Sequence, residues 1–251
     1  MATANLFLEQ RSEEWRQARC GKVTASDIAN VLSKPKKGSA ETAGRANYRA
    51  QIIAEVLTQK PQDDPFISRP MQWGIDQEPF ARAGYELERG FMVDTVGFCD
   101  HPRIENFGCS PDGLVTDEGL VQFKCPNTAT HIEYLLKGEV PAEYQAQMFA
   151  EIACTGRLWC DFVSFDPRLP QDLQLFVRRL HRDDTRIAEI ELRVADFLAE
   201  VRDYLVRLAS LKPSGLEEML SRSLELVQAR RGPQPVVEIM DSQREEVAGL
   251  S

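Results

Sequence analysis

Histidine is scarce in this sequence: His101, His131 and His181 are the only three in 251 residues. A histidine-rich catalytic centre cannot be assembled from so few, and each is expected at the surface or with its hydrogen bonds met. Cysteine pairs are missing too. Cys20, Cys99, Cys109, Cys125, Cys154 and Cys160 form no C-x-x-C and stand at no zinc-site spacing from a histidine, which argues against structural zinc. In a reducing compartment they read as buried small apolar residues rather than disulfides. No apolar run approaches the roughly 20 residues that span a bilayer. The opening stretch, MATANLFLEQRSEEW, has no basic region followed by a long apolar one, so it does not read as a signal peptide. The expectation is a cytoplasmic protein with no membrane partner. Internal repeats and low-complexity blocks are absent as well.

What is present describes a globular chain. Hydrophobic residues make up 43% and charged residues 27%, enough for one substantial core. The expected division is a main domain over residues 1–211 and a C-terminal helix and tail over 212–251. A net charge of −9 argues against a surface coated with nucleic acid, yet residues 11–60 hold ten Lys/Arg against five Asp/Glu. One face could therefore attract phosphate while the rest repels it.

The apolar spacing sets out the elements. RSEEWRQARCGKVTASDIANVLS reads as a helix ending at Gly21 and a second beginning near Thr24–Ser26. Helical spacing resumes over 45–59, and the middle of RPMQWGIDQEPFARAGYELERG is helical. Strand material follows over 91–99, 107–109, 113–116 and 120–125, with TDEG at 116–119 turning the last two into a hairpin. Pro141 opens a helix that Gly156 ends, two strands follow over 161–165 and 173–178, and 183–211 form one long amphipathic helix. That helix is expected to pack on the core, with a subunit contact as the alternative use of its stripe.

Chemistry concentrates at the hairpin. Alternation along 120–125 puts Leu120, Gln122 and Lys124 on one face and Val121, Phe123 and Cys125 on the other. Asp112 immediately precedes the partner strand, so pairing brings an acid, an amide and an amine together at one sheet edge. Magnesium is held by one or two carboxylates plus waters and substrate phosphate, and a nearby lysine can orient or deprotonate an attacking water.

SPDGL and GLVQFKCP, with EWRQARCGKVTAS and WGIDQE upstream and AEYQAQM and FDPR downstream, resemble the phage lambda exonuclease (YqaJ-type viral recombinase) branch of the PD-(D/E)xK nucleases. The likeness runs over residues 15–165. It implies an α/β fold of restriction-endonuclease type, a mixed sheet flanked by helices. It also implies Mg²⁺-dependent, processive 5′→3′ digestion of linear double-stranded DNA, leaving 3′ single strands for recombination by annealing. By the same resemblance Asp112 would bind two magnesium ions, with Mn²⁺ as a substitute. Position 122 would supply a second carboxylate, the Phe123 carbonyl would complete the coordination, and Lys124 would position the nucleophilic water. Glu78 would contact metal-bound water. Arg19, Ser26, Ser110 and Gln147 would form the pocket for the 5′-phosphate, and Met71 would part the strands at the duplex end. Trp15 reads as support. The implied partners are DNA ends, a single-strand annealing protein and two further copies of the chain in a homotrimer.

These roles make independent chemical sense. An arginine fork with hydroxyl and amide donors suits a phosphate dianion, and Ser26 at a helix start would add backbone N–H groups. One position departs from the pattern. The family carries glutamate where this chain has Gln122, which removes a negative charge and a carboxylate oxygen. Gln122 therefore reads as an inactivating substitution, whether introduced or natural. The alternatives are a DNA-end-binding protein without turnover and a structure-specific endonuclease.

Overall fold

A computed structural model describes residues 4–5, 8–35, 37–38, 40–62 and 68–211. The tail over 212–251 lies outside these residues. Cα packing groups Met1–Leu208 into one unit and Ala209–Ser251 into another. No described helix is long and apolar enough to cross a membrane.

The elements run β1 (Ala4–Asn5), α1 (Glu13–Arg19), β2 (Val23–Thr24), α2 (Ile28–Leu32), α3 (Ala43–Thr58), α4 (Arg69–Arg89), β3 (Val93–Asp94), β4 (Phe98–Asp100), β5 (Phe107–Cys109), β6 (Gly113–Val115), β7 (Gly119–Lys124), α5 (Thr128–Lys137), α6 (Ala142–Thr155), β8 (Trp159–Phe165), β9 (Leu175–His181) and α7 (Asp184–Leu211). The strands form two mixed sheets, a smaller one in the order β1-β4-β5-β2 and a larger one in the order β3-β6-β7-β8-β9. This is the mixed α/β class that the sequence predicts, and it differs in one respect. β7 is the middle strand of five, paired antiparallel to β6 and parallel to β8, so its polar residues converge at a strand end and not at a sheet edge.

Local chemistry fixes most boundaries. Ser12, Thr42, Ser68 and Asn127 cap α1, α3, α4 and α5 with their side-chain oxygens, and Gly90, Gly138 and Gly156 take the left-handed conformation that ends α4, α5 and α6. Pro79 sits inside α4 and cannot donate to the preceding turn. Gly113 is required by close approach: a β-carbon there would stand 2.1 Å from Val93 Cγ1. The residue after Asp112 therefore has no room for a side chain.

On one face of the larger sheet Val121, Phe123, Val163 and Trp159 pack with Ala81 and Tyr85 of α4. The long helix behaves as its periodicity predicts: Ile187, Ile190, Val194, Phe197, Val201 and Leu205 are buried, and Leu208 is exposed. Phe197 stacks on Tyr48 of α3, centroids 5.7 Å apart.

Several expectations need correction. The segment after Gly21 does not pass straight into a helix. It first forms β2, then a 3₁₀ turn over Ala25–Asp27, and only then the five-residue α2. Ser26 thus precedes a helix too short to lend it much dipole. Helix α5 was not foreseen. Of the cysteines, Cys99, Cys109, Cys154 and Cys160 are buried, but Cys20 and Cys125 are only partly so, and none is joined in a disulfide. His131 is fully buried with both ring nitrogens bonded, to Ser164 Oγ at 2.7 Å and the Leu173 carbonyl at 2.9 Å. His101 meets Glu191 at 3.1 Å.

Candidate nuclease site

The register places Gly113 opposite Val121, so Asp112, one residue earlier, lies beside Gln122. Asp112 Oδ2 accepts a hydrogen bond from the Gln122 side-chain amide and another from the Phe123 backbone N–H at 2.7 Å. Arg82 of α4 donates to the Asp112 carbonyl at 2.9 Å and to that of Val93 at 3.1 Å, fixing the acid from behind. Burial pushes the Asp112 carboxyl above the usual range, against the opposing pull of Lys124 and the Phe123 N–H. Glu78 is also raised, by burial and then by the charge of Asp112, and Arg11 stands 3.6 Å from its carboxylate.

Helix α6 covers the polar face of β7. Tyr144, Gln147 and Glu151 are spaced i, i+3 and i+7 and share one helical stripe. The Lys124 ammonium lies 5.1 Å from the Tyr144 ring centroid. Gln147 Nε2 donates to Gln122 Oε1 at 2.8 Å and to Glu151 Oε1 at 2.9 Å. Gln122 is 2% exposed, and its amide orientation follows from chemistry: a carboxylate accepts only, so the N–H must face Asp112.

The remaining residues form a second cluster beside the first. The Trp15 indole N–H donates to Ser110 Oγ at 2.8 Å. The Arg19 guanidinium lies over the Trp15 ring, 4.2 Å from its centroid, and reaches Ser26 Oγ at 3.4 Å. Arg19, Ser26 and Ser110 are thus gathered around Trp15 in a basic notch, while the bonded partners of Gln147 are Gln122 and Glu151. Lys22, Arg16 and Tyr48 line a small hollow on the flank of Arg19. Met71, in the first turn of α4, is 56% exposed and so is no core residue. It stands seven positions from Glu78 on the same helical face, about 10 Å along the axis.

Sequence reasoning missed Glu151, Arg82, Arg11 and the seat that Tyr144 offers Lys124. Glu151 was findable, since it lies one helical turn beyond Gln147 in AEYQAQMFAEIACTG. Burial, then the charge of Asp112, pushes its carboxyl up to about 8. The unfolded chain releases that proton near 4.5, whereas the folded chain keeps it to about 8, so rising pH weakens folding across that window. Between pH 6 and pH 8 this group alone is expected to cost about 2 kcal/mol. Urea unfolding at the two pH values should show that fall, and Glu151→Gln should flatten it. An equal slope in the variant would count against the assignment.

A hard divalent cation requires oxygen donors. The Asp112 carboxylate, the Phe123 peptide oxygen and the Glu78 carboxylate suit one such ion. Gln122 as placed turns an N–H toward Asp112 and gives its oxygen to Gln147. Among the described residues no three His, Cys, Asp or Glu side chains stand poised around one point. The donor set therefore fits one ion better than two.

Comparison with known proteins bears on the family and the fold. The family model described as YqaJ-like viral recombinase domain matches residues 14–158. An alkaline exonuclease from Laribacter hongkongensis, LHK-Exo, is 50% identical with a TM-score of 0.72, over 79% of this chain and 98% of that one. The same enzyme solved in complex with dAMP matches equally. A phage-related exonuclease from Haemophilus somnus 129PT is 16% identical with a TM-score of 0.58, over 74% of this chain and 96% of that one, and shares the fold. Among curated proteins no relative of the chain is found.

Proposed function

Because this chain belongs to the YqaJ-like viral recombinase domain family, we propose that it is a magnesium-dependent exonuclease that resects linear double-stranded DNA from the 5′ end. It would release mononucleotides and leave a 3′ single strand for an annealing protein. The observation that carries this reading is the meeting of Asp112, Gln122 and the helix-seated Lys124 at one end of β7, two residues from Ser110 in the basic notch. Membership in a phage-type exonuclease family of recombination stands on the comparisons, while the polarity, products, partner and a homotrimeric ring are our proposals.

In this reading Asp112, Glu78 and the Phe123 peptide oxygen would hold the cation, Mg²⁺ or Mn²⁺. Bound there, it supplies charge neutralisation for the phosphoryl group during in-line displacement. Lys124 donates a hydrogen bond to the attacking water and orients it for in-line attack, and the water's proton leaves to solvent. It makes no hydrogen bond or ion pair among the described residues, which leaves its ammonium free for that task. Arg19, Ser26 and Ser110 receive the 5′-phosphate, and Trp15 holds the first and last of them in place. Met71 is free to wedge between bases at the duplex end.

The test places a 5′-phosphorylated linear duplex and a covalently closed circle in one tube with Mg²⁺. The linear DNA should shorten to mononucleotides and single strand while the circle survives, and a nicked or cut circle would point to an endonuclease instead. The amide bond from Gln122 to Asp112 favours a second reading, end binding without turnover. That reading predicts no digestion even after Gln122→Glu. The phosphate notch makes its own prediction. Arg19→Ala should slow digestion of phosphorylated ends by about 10- to 100-fold, the worth of a charge-assisted bond, and barely affect hydroxyl ends. Equal losses on both would remove Arg19 from the pocket.

A further inference from the structure

Helix α6 carries an acid that its packing does not call for. Glu151 is 1% exposed, amid the buried Met148, Ala150, Ile152 and Cys154. Its Oε1 accepts the Gln147 amide at 2.9 Å, and its Oε2 has no hydrogen-bond partner among the described residues. An unpaired buried carboxyl oxygen is costly, and an apolar side chain of similar volume would remove that cost. A carboxyl group kept under such conditions points to a ligand.

Its position suggests which one. Glu151 shares its stripe with Gln147 and Tyr144, the two residues that meet Gln122 and Lys124. The charges of Asp112 and Lys124 both act on it. Only the Gln147 amide separates it from Gln122, bonded to both. At position 122 the strand offers an amide where the chemistry wants an acid, and directly behind that amide the helix offers an acid with a free oxygen.

We propose that Glu151 is the second carboxylate of the divalent-cation site, supplied from α6 in place of the one that β7 lacks, and brought into play when the Gln147 amide swings off Gln122. The inference rests on the exonuclease reading. It means that the cation affinity left in this chain depends on Glu151, and that a carboxylate at 122 would make Glu151 redundant.

The experiment measures Mn²⁺ binding by the electron paramagnetic resonance of the free ion, on the full chain and its Glu151→Gln, Gln122→Glu and doubly substituted forms. Glu151→Gln should weaken binding at least about tenfold in the chain as it stands. With Gln122→Glu already present, it should change binding less than about twofold. Glu151→Met, matched in volume and without hydrogen-bonding atoms, should repeat the result should the glutamine form fold poorly. Unchanged affinity, or equal losses in both backgrounds, overturns the proposal and makes Glu151 a structural acid. Digestion of linear duplex by the Gln122→Glu form separates the two ideas. If that form binds Mn²⁺ and digests while Glu151 shows no such dependence, only this inference falls, and if no form binds or digests, the exonuclease reading falls with it.

Discussion

Gln122→Glu is expected to raise Mg²⁺-dependent digestion of a linear duplex by about 100-fold or more, with a matching drop in the Mg²⁺ concentration needed for half-maximal rate. The physical cause is the short chain Asp112–Gln122–Gln147–Glu151. In it the Gln122 N–H satisfies the oxygen of Asp112 that a cation would otherwise occupy, and Gln147 holds the Gln122 oxygen. A glutamate at this position cannot donate to Asp112, so the two carboxylates repel and a cation between them relieves the repulsion. Altering a mere supporting residue of a metal site shifts affinity or activity by about 10- to 100-fold, and a direct ligand should exceed that. Rate against Mg²⁺ for both forms is the measurement. A chain that already digests at the substituted form's rate would show that the amide is no handicap.

The second large effect is expected at Lys124. Lys124→Met, made alongside Gln122→Glu so that the rate is measurable, should lower turnover by about 10²-fold or more, the scale of losing the orientation of a reacting group. Affinity for the cation should change little, because an ammonium ligates no metal. Methionine is an unbranched side chain of similar length and can stand beside Tyr144, whose ring the ammonium faces at 5.1 Å, so the folded chain should persist. Single-turnover rates paired with Mn²⁺ titration separate the two effects. A loss confined to metal binding would move Lys124 out of the role of handling water.

Much of this arrangement is legible in the residues. The Pro141 and Gly156 boundaries of α6, the stripe of α7 and the TDEG turn are all local signals, and the hairpin register that joins Asp112 to Gln122 follows from that turn. The missed parts have other causes. β2 is two residues long and exists because Val23 and Thr24 pair in parallel with Phe107 and Gly108, a contact between segments some eighty positions apart that no window reveals. α5 is built on Asn127 capping a stretch of β-branched residues, Thr128, Thr130 and Ile132, whose intrinsic preference is for strands. Its helical state comes from packing, with Tyr134 set edge-on against Phe162 of β8. The division into two sheets was equally hidden, since β5 and β6 are neighbours in sequence and yet belong to different ladders. Glu151 escaped for a different reason: its place one turn beyond Gln147 marks the shared stripe, but nothing in a lone glutamate marks its burial.

That last boundary between sheets has a mechanical meaning. Ser110 closes the notch from the end of β5, and Asp112 opens β6, with a single rigid proline between them. Their α-carbons can be no more than about 7 Å apart. In the proposed reading, anchorage of the terminal phosphate and scission of the backbone would both be built onto one tripeptide, too short to stretch by a further nucleotide. It would then work as a gauge of fixed length, set by covalent bonds, so that each cut should remove the same small increment whatever bases pass through.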